Sequence, residues 1–310
     1  LDNLQNSSES VAAKIEAVAG IDTDFVEGDV RDQALVYEIL VEYKIEAVLH
    51  FAGLKVVEES KRCPLAYFDC NVKGSIELCM AMTKAKVNLL IFSSSASIYG
   101  SAASSPIKEN ISTPSPTSPY GRSKIMVENL LADLARSDSD WRIACLRYFN
   151  PAGAHESGLI GESPLGRPSN LMPYVARVAS GSLKELKVFG GNYETPDGTG
   201  IRDYIHVMDL AEGHVAALNH LIKGEGMLTL NLGVGKGVSV LEVIREFESV
   251  SGREIPFEIV GRRVGDVAEC WADVQLARDT IGWEANLSLS DMCRDAWLWE
   301  LKQSLLADSR

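Results

Sequence analysis

The sequence predicts an α/β protein: a parallel sheet covered by helices on both faces, followed by a smaller α/β unit. Three observations carry that expectation. Short, continuous apolar runs such as Ala47-Val48-Leu49-His50-Phe51 and Leu89-Leu90-Ile91-Phe92 read as strands buried on both sides. They alternate with segments of helical periodicity, the pattern of parallel strands joined by crossover helices. After Asn150 the chain turns into a Gly-, Pro- and Ser-rich crossing, Pro151 to Ser169, which marks a boundary. The expected domains are 1–151 and 152–310, with 203–222 a candidate to pack back on the first.

In order, Ser8 to Ala19 is an expected helix, Thr23 to Gly28 a strand with Asp29 just past its end, and Asp32 to Tyr43 a helix. The strand over 47–51 follows, then a helix from Asn71 to Ala85 and a strand from Val87 to Ser93. A helix opens at Tyr120 and runs to about Arg136, with Ile125, Met126, Leu130, Leu131 and Leu134 at helical spacing. Ile143 to Phe149 is a strand. Beyond the crossing, helices are expected over Asn170 to Ser180 and Val207 to Leu221, strands over Leu228 to Leu232 and Ile255 to Val260, and a terminal helix from Ser290. Ser239 reads as the N-cap of a helix to Val250, with Glu242 at the capping-box position. Gly233-Val-Gly235-Lys236-Gly237 faintly suggests a phosphate loop. It does not fit G-x-x-x-x-G-K-[ST], so a tight turn into the capped helix is expected.

Composition narrows the function classes. The 310 residues are 46% hydrophobic and 24% charged, as in a soluble globular protein. A net charge of −13 argues against binding nucleic acid or anionic membranes. No apolar run approaches a membrane span and none reads as a signal peptide, so a cytoplasmic location is expected. The six cysteines (Cys63, Cys70, Cys79, Cys145, Cys270, Cys293) include no C-x-x-C pair, which favours free thiols. The five histidines form no ligand-spaced pattern, so no metal site is expected.

The chemistry centres on Tyr120-Gly-Arg-Ser-Lys124. Tyr120 and Lys124 are four apart, hence one turn apart on one helix face. A phenol is a poor base at its ordinary pKa near 10, and an ammonium held close is expected to lower it. Such a pair can take a proton from a sugar hydroxyl near neutral pH. An isolated Y-x-x-x-K is usually a surface pair. Here an apolar strand ending in Ser93-Ser94-Ser95 precedes it by twenty-five residues.

These residues, with several further motifs, resemble the extended short-chain dehydrogenase/reductase superfamily, and within it the UDP-glucose 4-epimerase family. The motifs are Phe25-Val-Glu-Gly-Asp29, His50-Phe-Ala-Gly-Leu-Lys55, Phe92-Ser-Ser-Ser-Ala96 with Tyr99-Gly100, Ser118-Pro-Tyr-Gly-Arg-Ser-Lys124 and Leu146-Arg-Tyr-Phe-Asn-Pro151. In the second half they are Asn170-Leu-Met-Pro-Tyr174, the run Asp197 to Leu210, and Arg262-Arg-Val-Gly-Asp266. The resemblance covers essentially the whole chain. It implies a Rossmann-type doubly wound sheet, and a glycine-rich strand–turn–helix of roughly 30 residues that is absent ahead of Leu1.

The resemblance further implies NAD as cofactor, a UDP-sugar as substrate and a homodimer. Ser95, Tyr120 and Lys124 would be catalytic. Asp2 would accept from the adenosine ribose and repel a 2′-phosphate, favouring NAD over NADP. Asn3, Asn6 and Ser7 would lie near the adenosine phosphate, and Asp29 and Val30 beside the adenine. Phe51, Ala52, Gly53, Lys55, Asn71, Ser93 and Phe149 would line the rest, with Tyr120 and Lys124. On the substrate side stand Lys55, Ser95, Tyr120, Asn150, Asn170, Leu171, Phe189, Arg202, Tyr204, Arg263, Asp266 and Cys270. Arg202 and Arg263 suit a diphosphate because guanidinium pairs with phosphate bidentately. A small Cys270, where family members carry a bulky Tyr, implies room for N-acetylated sugars. Dehydration would need an acid beside Ser95, where Ala96 and Ser97 stand. Two alternatives stay open: another NAD-dependent nucleotide-sugar enzyme, or a nucleotide-sugar-binding or dimer-forming module without turnover.

Overall fold

The structure, a computed structural model, describes every residue except 101–103, 112–113, 165, 167, 225, 264 and 309–310, together with the side chains of 306–308. At its centre is a parallel sheet of four strands in the order Val48–His50, Leu89–Ser95, Arg142–Tyr148, Gly226–Leu232. The register sets Ser95 opposite Tyr148, and Tyr148 opposite Leu232. The two middle strands are apolar on both faces because each face is covered. Leu90, Phe92, Ile143 and Cys145 pack with Val36, Leu40, Leu78, Met82, Leu131 and Trp141. Leu89, Ile91, Ala144 and Leu146 pack the other way, with Ile205, Leu210, Ala217, Leu221 and Trp283. This period of two assigns one helical layer to each side.

The helix Val207–Lys223 covers the second face, and the strand that follows it completes the sheet. A separate core joins the helices Leu171–Ala179, Val240–Ser251 and Leu289–Asp308 through Met172, Val175, Val243, Phe247, Met292 and Cys293. Ser239 and Glu242 form the expected capping box.

The structure departs from the expected elements in physically explicable ways. The strand expected over Thr23 to Gly28 reduces to one bridge, Asp2 to Glu27, closed by Asp2 N–H to Val26 O (3.2 Å) and Gly28 N–H to Asp2 O (3.0 Å). The helix expected from Asn71 begins earlier, as Pro64–Tyr67 and a π-turn Phe68–Lys73 running into Gly74–Ala85. Such wide turns cluster at functional sites. The helices Val57–Arg62 and Gln275–Ile281 and the strand Leu186–Phe189 are additions.

The glycine cluster does cradle an anion, but the protein's own. Val234 N–H and Gly235 N–H donate to the Asp203 carboxylate at 2.8 and 3.0 Å, and Ala272 N–H donates at 3.1 Å. Asp203 is fully buried. Burial pushes its carboxyl pKa up while the three amides pull it down.

All six cysteines are free thiols. No helix among the described residues is long and apolar enough to cross a membrane. Of the apolar residues on the helices Gly74–Ala85 and Pro119–Ser137, Leu78, Met82 and Leu131 belong to the core, because the sheet face needs them. Met80 and Met126 remain 51% exposed, with Leu65 on the preceding turn at 81%.

Candidate active site

Ser95 ends the second strand of the sheet and caps the short 3₁₀ turn Ala96–Ile98, accepting from Ser97 N–H at 3.1 Å. The helix Pro119–Ser137 starts directly above it. Ser118 caps that helix by accepting from Gly121 N–H at 3.1 Å, and Pro119 fills the first position. Gly121 permits the approach, since a β-carbon there would lie 2.6 Å from Ser97 O. Tyr120 is thus delivered, buried, to the end of the strand that carries Ser95, near enough for that hydroxyl to act on its phenol. One turn on, the buried Lys124 Nζ donates to Ser93 O at 2.8 Å and sits 4.8 Å over the Phe92 ring. Its distance to the Tyr120 ring centre is 5.9 Å. Ser93 and Tyr148 hydroxyls pair beside it.

The electrostatics correct one expectation. Tyr120 is not pulled down by the amine in this arrangement. Burial pushes its phenol up, Tyr148 adds to that, and the hydrogen bond from Ser95 opposes it. Desolvation is the largest influence on the phenol, and burial separately pulls the Lys124 pKa down to about 8. Among its neighbours, the Ser95 hydroxyl is the group that draws the phenol back down, and Ser95 Oγ accepts from Ser97 N–H.

The residues expected to line the cofactor gather at the same edge of the sheet. Phe51 follows the first strand, 56% exposed, with its ring 4.9 Å from His214. Ala52 is exposed, Gly53 half-buried and Lys55 exposed. Asn71 lies inside the π-turn and is not a helix cap. Its amide takes Leu54 N–H at 2.8 Å, gives to Leu54 O at 3.0 Å and gives to Ser123 Oγ at 3.0 Å. Both amide donors are spent on holding the 53–55 loop to the Tyr120 helix. Phe149 is buried, 6.3 Å from the Tyr99 ring. One buried atom here is orphaned: His214 Nε2, beside Phe51, has no partner among the described residues.

At the far end, the bridge between Asp2 and Glu27 brings two acids together. Asp2 Oδ1 accepts from Leu4 N–H (2.7 Å) and Ser7 Oγ (2.6 Å), and Asn3 Nδ2 donates to Asp29 at 2.9 Å. Arg31 grips Asp29 through Nε (2.8 Å) and Nη2 (2.7 Å), holding that carboxyl well below its usual range. Val30 is buried behind them, and Asn6 is exposed.

The expected substrate residues fall into two groups. Arg263 stacks 3.8 Å over Phe189, and Arg202 pairs with Asp266 at 3.6 Å. Cys270 stands directly across a two-residue parallel ladder from Arg202, and it packs against the cluster containing Phe149 and Tyr99. Tyr204 is buried in the second core, and Leu171 packs on it half-buried. Asn150 Nδ2 is taken by Asp203 O at 2.9 Å. Asn170 lies apart from the guanidinium group, donating to Glu162 at 2.8 Å, where Lys55 also pairs at 3.4 Å. Val264, within the Arg262–Asp266 motif, lies outside the described residues. No group of side chains that could hold a metal occurs among the described residues.

Four residues escaped the sequence reading. Glu162 joins Lys55 to Asn170, and Asp203 ties the glycine turn to the Cys270 strand. Glu128 and Arg147 form a buried ion pair behind Ser94. Signals for the last two exist. Glu128 follows Lys124 by four, on the buried helix face, and Arg147 interrupts an apolar strand; each needs a partner.

The model of the NAD dependent epimerase/dehydratase family matches residues 1–233. The UDP-glucose 4-epimerase of Bacillus subtilis (strain 168) is 51% identical over 300 residues, spanning 97% of this chain and 88% of that protein. That of Neisseria meningitidis serogroup C is 50% identical over 299 residues, spanning 96% and 88%. Among solved structures, the UDP-glucose-4-epimerase of Stenotrophomonas maltophila, with bound NAD and formylated UDP-arabinopyranose, superposes with a TM-score of 0.96 at 52% identity. It covers 98% of this chain and 90% of that one. The Bifidobacterium longum enzyme in complex with NAD+ and UDP gives 0.94 at 48%, over 98% and 90%.

The buried amine generates a prediction. Lys124 titrates near 8 in the fold and near 10.4 when exposed, so between these values the unfolded chain holds a proton that the folded chain lacks. Stability then rises with pH across that window, and the cost of the buried cation is fully present below it. Relative to Lys124→Met, the wild-type protein should gain about 2 kcal/mol between pH 8 and 10, with a slope approaching 1.36 kcal/mol per unit mid-window. Urea denaturation of both proteins across that range is the measurement, and a constant difference would refute the assignment.

Proposed function

We propose the following for a chain that belongs to the NAD dependent epimerase/dehydratase family: it is an isomerase that interconverts UDP-galactose and UDP-glucose. The observation that carries the reading is the convergence of Ser95 at a strand end with the buried Tyr120 at the start of the adjoining helix and the buried Lys124 one turn away.

NAD is the cofactor, and the residues fit it. An exposed aromatic face at Phe51, the clamped 53–55 loop and the orphaned His214 nitrogen leave apolar surface and an unused acceptor where a nicotinamide nucleotide would lie. Phe51, Ala52, Gly53, Lys55, Ser93 and Phe149 would line it, with Asp2, Asn3, Asn6, Ser7, Asp29 and Val30 at the adenosine end. When bound, NAD supplies a hydride acceptor and donor at sugar C4, which makes a 4-ketose the common intermediate. Tyr120 takes the 4-hydroxyl proton and later returns it. Ser95 donates to the phenol oxygen and so stabilises the phenolate form. Lys124 supplies positive charge one turn away, and its contact with Ser93 O fixes where that charge sits.

The guanidinium groups of Arg202 and Arg263 would grip the UDP diphosphate, with Phe189 supporting one and Asp266 the other. Asp266 would then contact the uridine ribose, and Asn150, Asn170, Leu171 and Tyr204 the sugar and phosphate. Six free thiols favour a reducing, cytoplasmic compartment.

Incubation of the protein with NAD and UDP-galactose should yield UDP-glucose, and Tyr120→Phe should lower turnover by ~10²–10⁴, the worth of a positioned acid–base group. Ordinary turnover by that variant would remove Tyr120 from the role. Cys270, half-buried beside Phe149, leaves less bulk than a ring would at the sugar wall. The enzyme should therefore also turn over UDP-GlcNAc and UDP-GalNAc, and Cys270→Tyr should suppress that pair while sparing UDP-galactose. Inactivity of the wild type toward UDP-GalNAc defeats the pocket reading. Finally, Met80, Met126 and Leu65 suit a homodimer built on the helices Gly74–Ala85 and Pro119–Ser137. Light scattering at micromolar concentration should give twice the chain mass, and a monomer would count against it.

A further inference from the structure

Behind the reacting groups lies a buried polar chain to which the mechanism assigns no task. Glu128 is two turns past Tyr120 and one past Lys124 on the same helix. Its carboxylate accepts from Ser94 Oγ at 2.5 Å. It also accepts from Arg147 Nε at 3.0 and 3.2 Å and from Nη2 at 2.5 Å. Arg147 stands on the neighbouring strand and reaches onward through Nη1 to Tyr99 Oη at 3.2 Å and Glu109 O at 3.0 Å. Tyr99 donates to Asn231 Oδ1 at 2.5 Å, and Asn231 Nδ2 donates to Ile107 O at 2.8 Å. Ile107 is stitched to the segment after Cys270, by its N–H to Trp271 O (2.9 Å) and by Asp273 N–H to its carbonyl (2.8 Å). Both charged side chains are buried, with 9% and 5% of their area exposed.

We infer that Glu128 and Arg147 are positioning residues for the reaction: the pair fixes the end of the Ser93–Ser95 strand against the Tyr120 helix, so that Ser95 meets the phenol. The inference rests on the function proposed above. The ion pair is poorly explained as a stabiliser. Desolvating two charges costs about as much as their attraction returns, and an apolar pair of similar volume is often at least as stable. What an apolar pair cannot supply is direction. Only a carboxylate can hold the Ser94 hydroxyl and the planar guanidinium at once, and the adjacent residue is Ser95. A displacement of even ~1 Å at such a site can lower turnover roughly 10²-fold. Neither residue touches Arg202, Arg263 or Asp266, so nucleotide-sugar binding should be spared.

The test is the double variant Glu128→Leu/Arg147→Met in the whole protein, with Ser94→Ala beside it. A folded double variant is expected to keep its KM for UDP-galactose within about two-fold and to lose ~10-fold or more in kcat. Wild-type kcat in that folded protein, or a loss confined to KM, overturns the inference. If the double variant does not fold, Ser94→Ala decides alone, since it cuts the side-chain hydrogen bond from Glu128 to the strand end. It should lower kcat with unchanged thermal stability, and unchanged kcat overturns the inference. A second readout needs no turnover. The Tyr120 phenol is titrated by ultraviolet difference between each protein and its Tyr120→Phe counterpart. Its midpoint should rise in Ser94→Ala as the Ser95 hydrogen bond loosens, and a fixed midpoint rejects the positioning role. Failure of the wild-type protein to convert UDP-galactose would instead strike the function proposed above, leaving this titration as the judge of the pair.

Discussion

A phenol and an amine are buried side by side at the end of a central strand, and much of the structure around them serves to make that tolerable. A buried ammonium is costly unless its protons are used. Lys124 spends one on Ser93 O and lies over the Phe92 ring, where the π-face favours a cation. The phenol reaches the strand because Gly121 has no side chain to hold the helix away from Ser97. The helix can begin there because Ser118 and Pro119 settle its free amides. In a parallel sheet all strands end at one edge, so Phe51, Ser95 and Phe149 meet there without any local design.

The fold was readable because its strands are short apolar runs with no competing interpretation. Val48–His50, Leu89–Ser95 and Arg142–Tyr148 could be located to within two residues, and so could the capped helix at Ser239. Thr23 to Gly28 was misjudged because a strand exists only by its neighbours, and just one bridge forms there. The convergence of Ser95, Tyr120 and Lys124 was readable too, through spacing on a helix and a serine run on a strand. The sign of the Tyr120 shift was not. Spacing reveals that a lysine is near, whereas desolvation depends on how completely the surrounding chain closes. Glu162 and Asp203 were hidden for a related reason. Lys55, paired with Glu162, is 107 residues away in the chain and Ala272, paired with Asp203, is 69 away, and no local pattern records such contacts.

Asp203 shows how one side chain can take over a motif. A glycine-rich turn offers free amides, and free amides attract an anion. Here the anion is supplied internally, from the same strand region that carries Arg202 and Tyr204. The result joins the turn at 233–235, the strand Ile201–Arg202 and the segment after Cys270 into one block. Asn150 is drawn in as well, through Asp203 O. The faint likeness to a phosphate loop thus reflects shared physics without shared function.

The ladder between Ile201–Arg202 and Glu269–Cys270 is only two residues long, yet it couples two candidate substrate residues. The guanidinium that would grip the diphosphate and the thiol that would face the sugar are rungs of the same short ladder. Asp203 pins both sides of it to a common point, by its own N–H to Cys270 O and by its carboxylate to Ala272 N–H. Anchor and wall therefore cannot travel relative to one another. A ligand held by that guanidinium beside that thiol would meet two groups whose spacing is set by backbone pairing and not by side-chain rotamers alone.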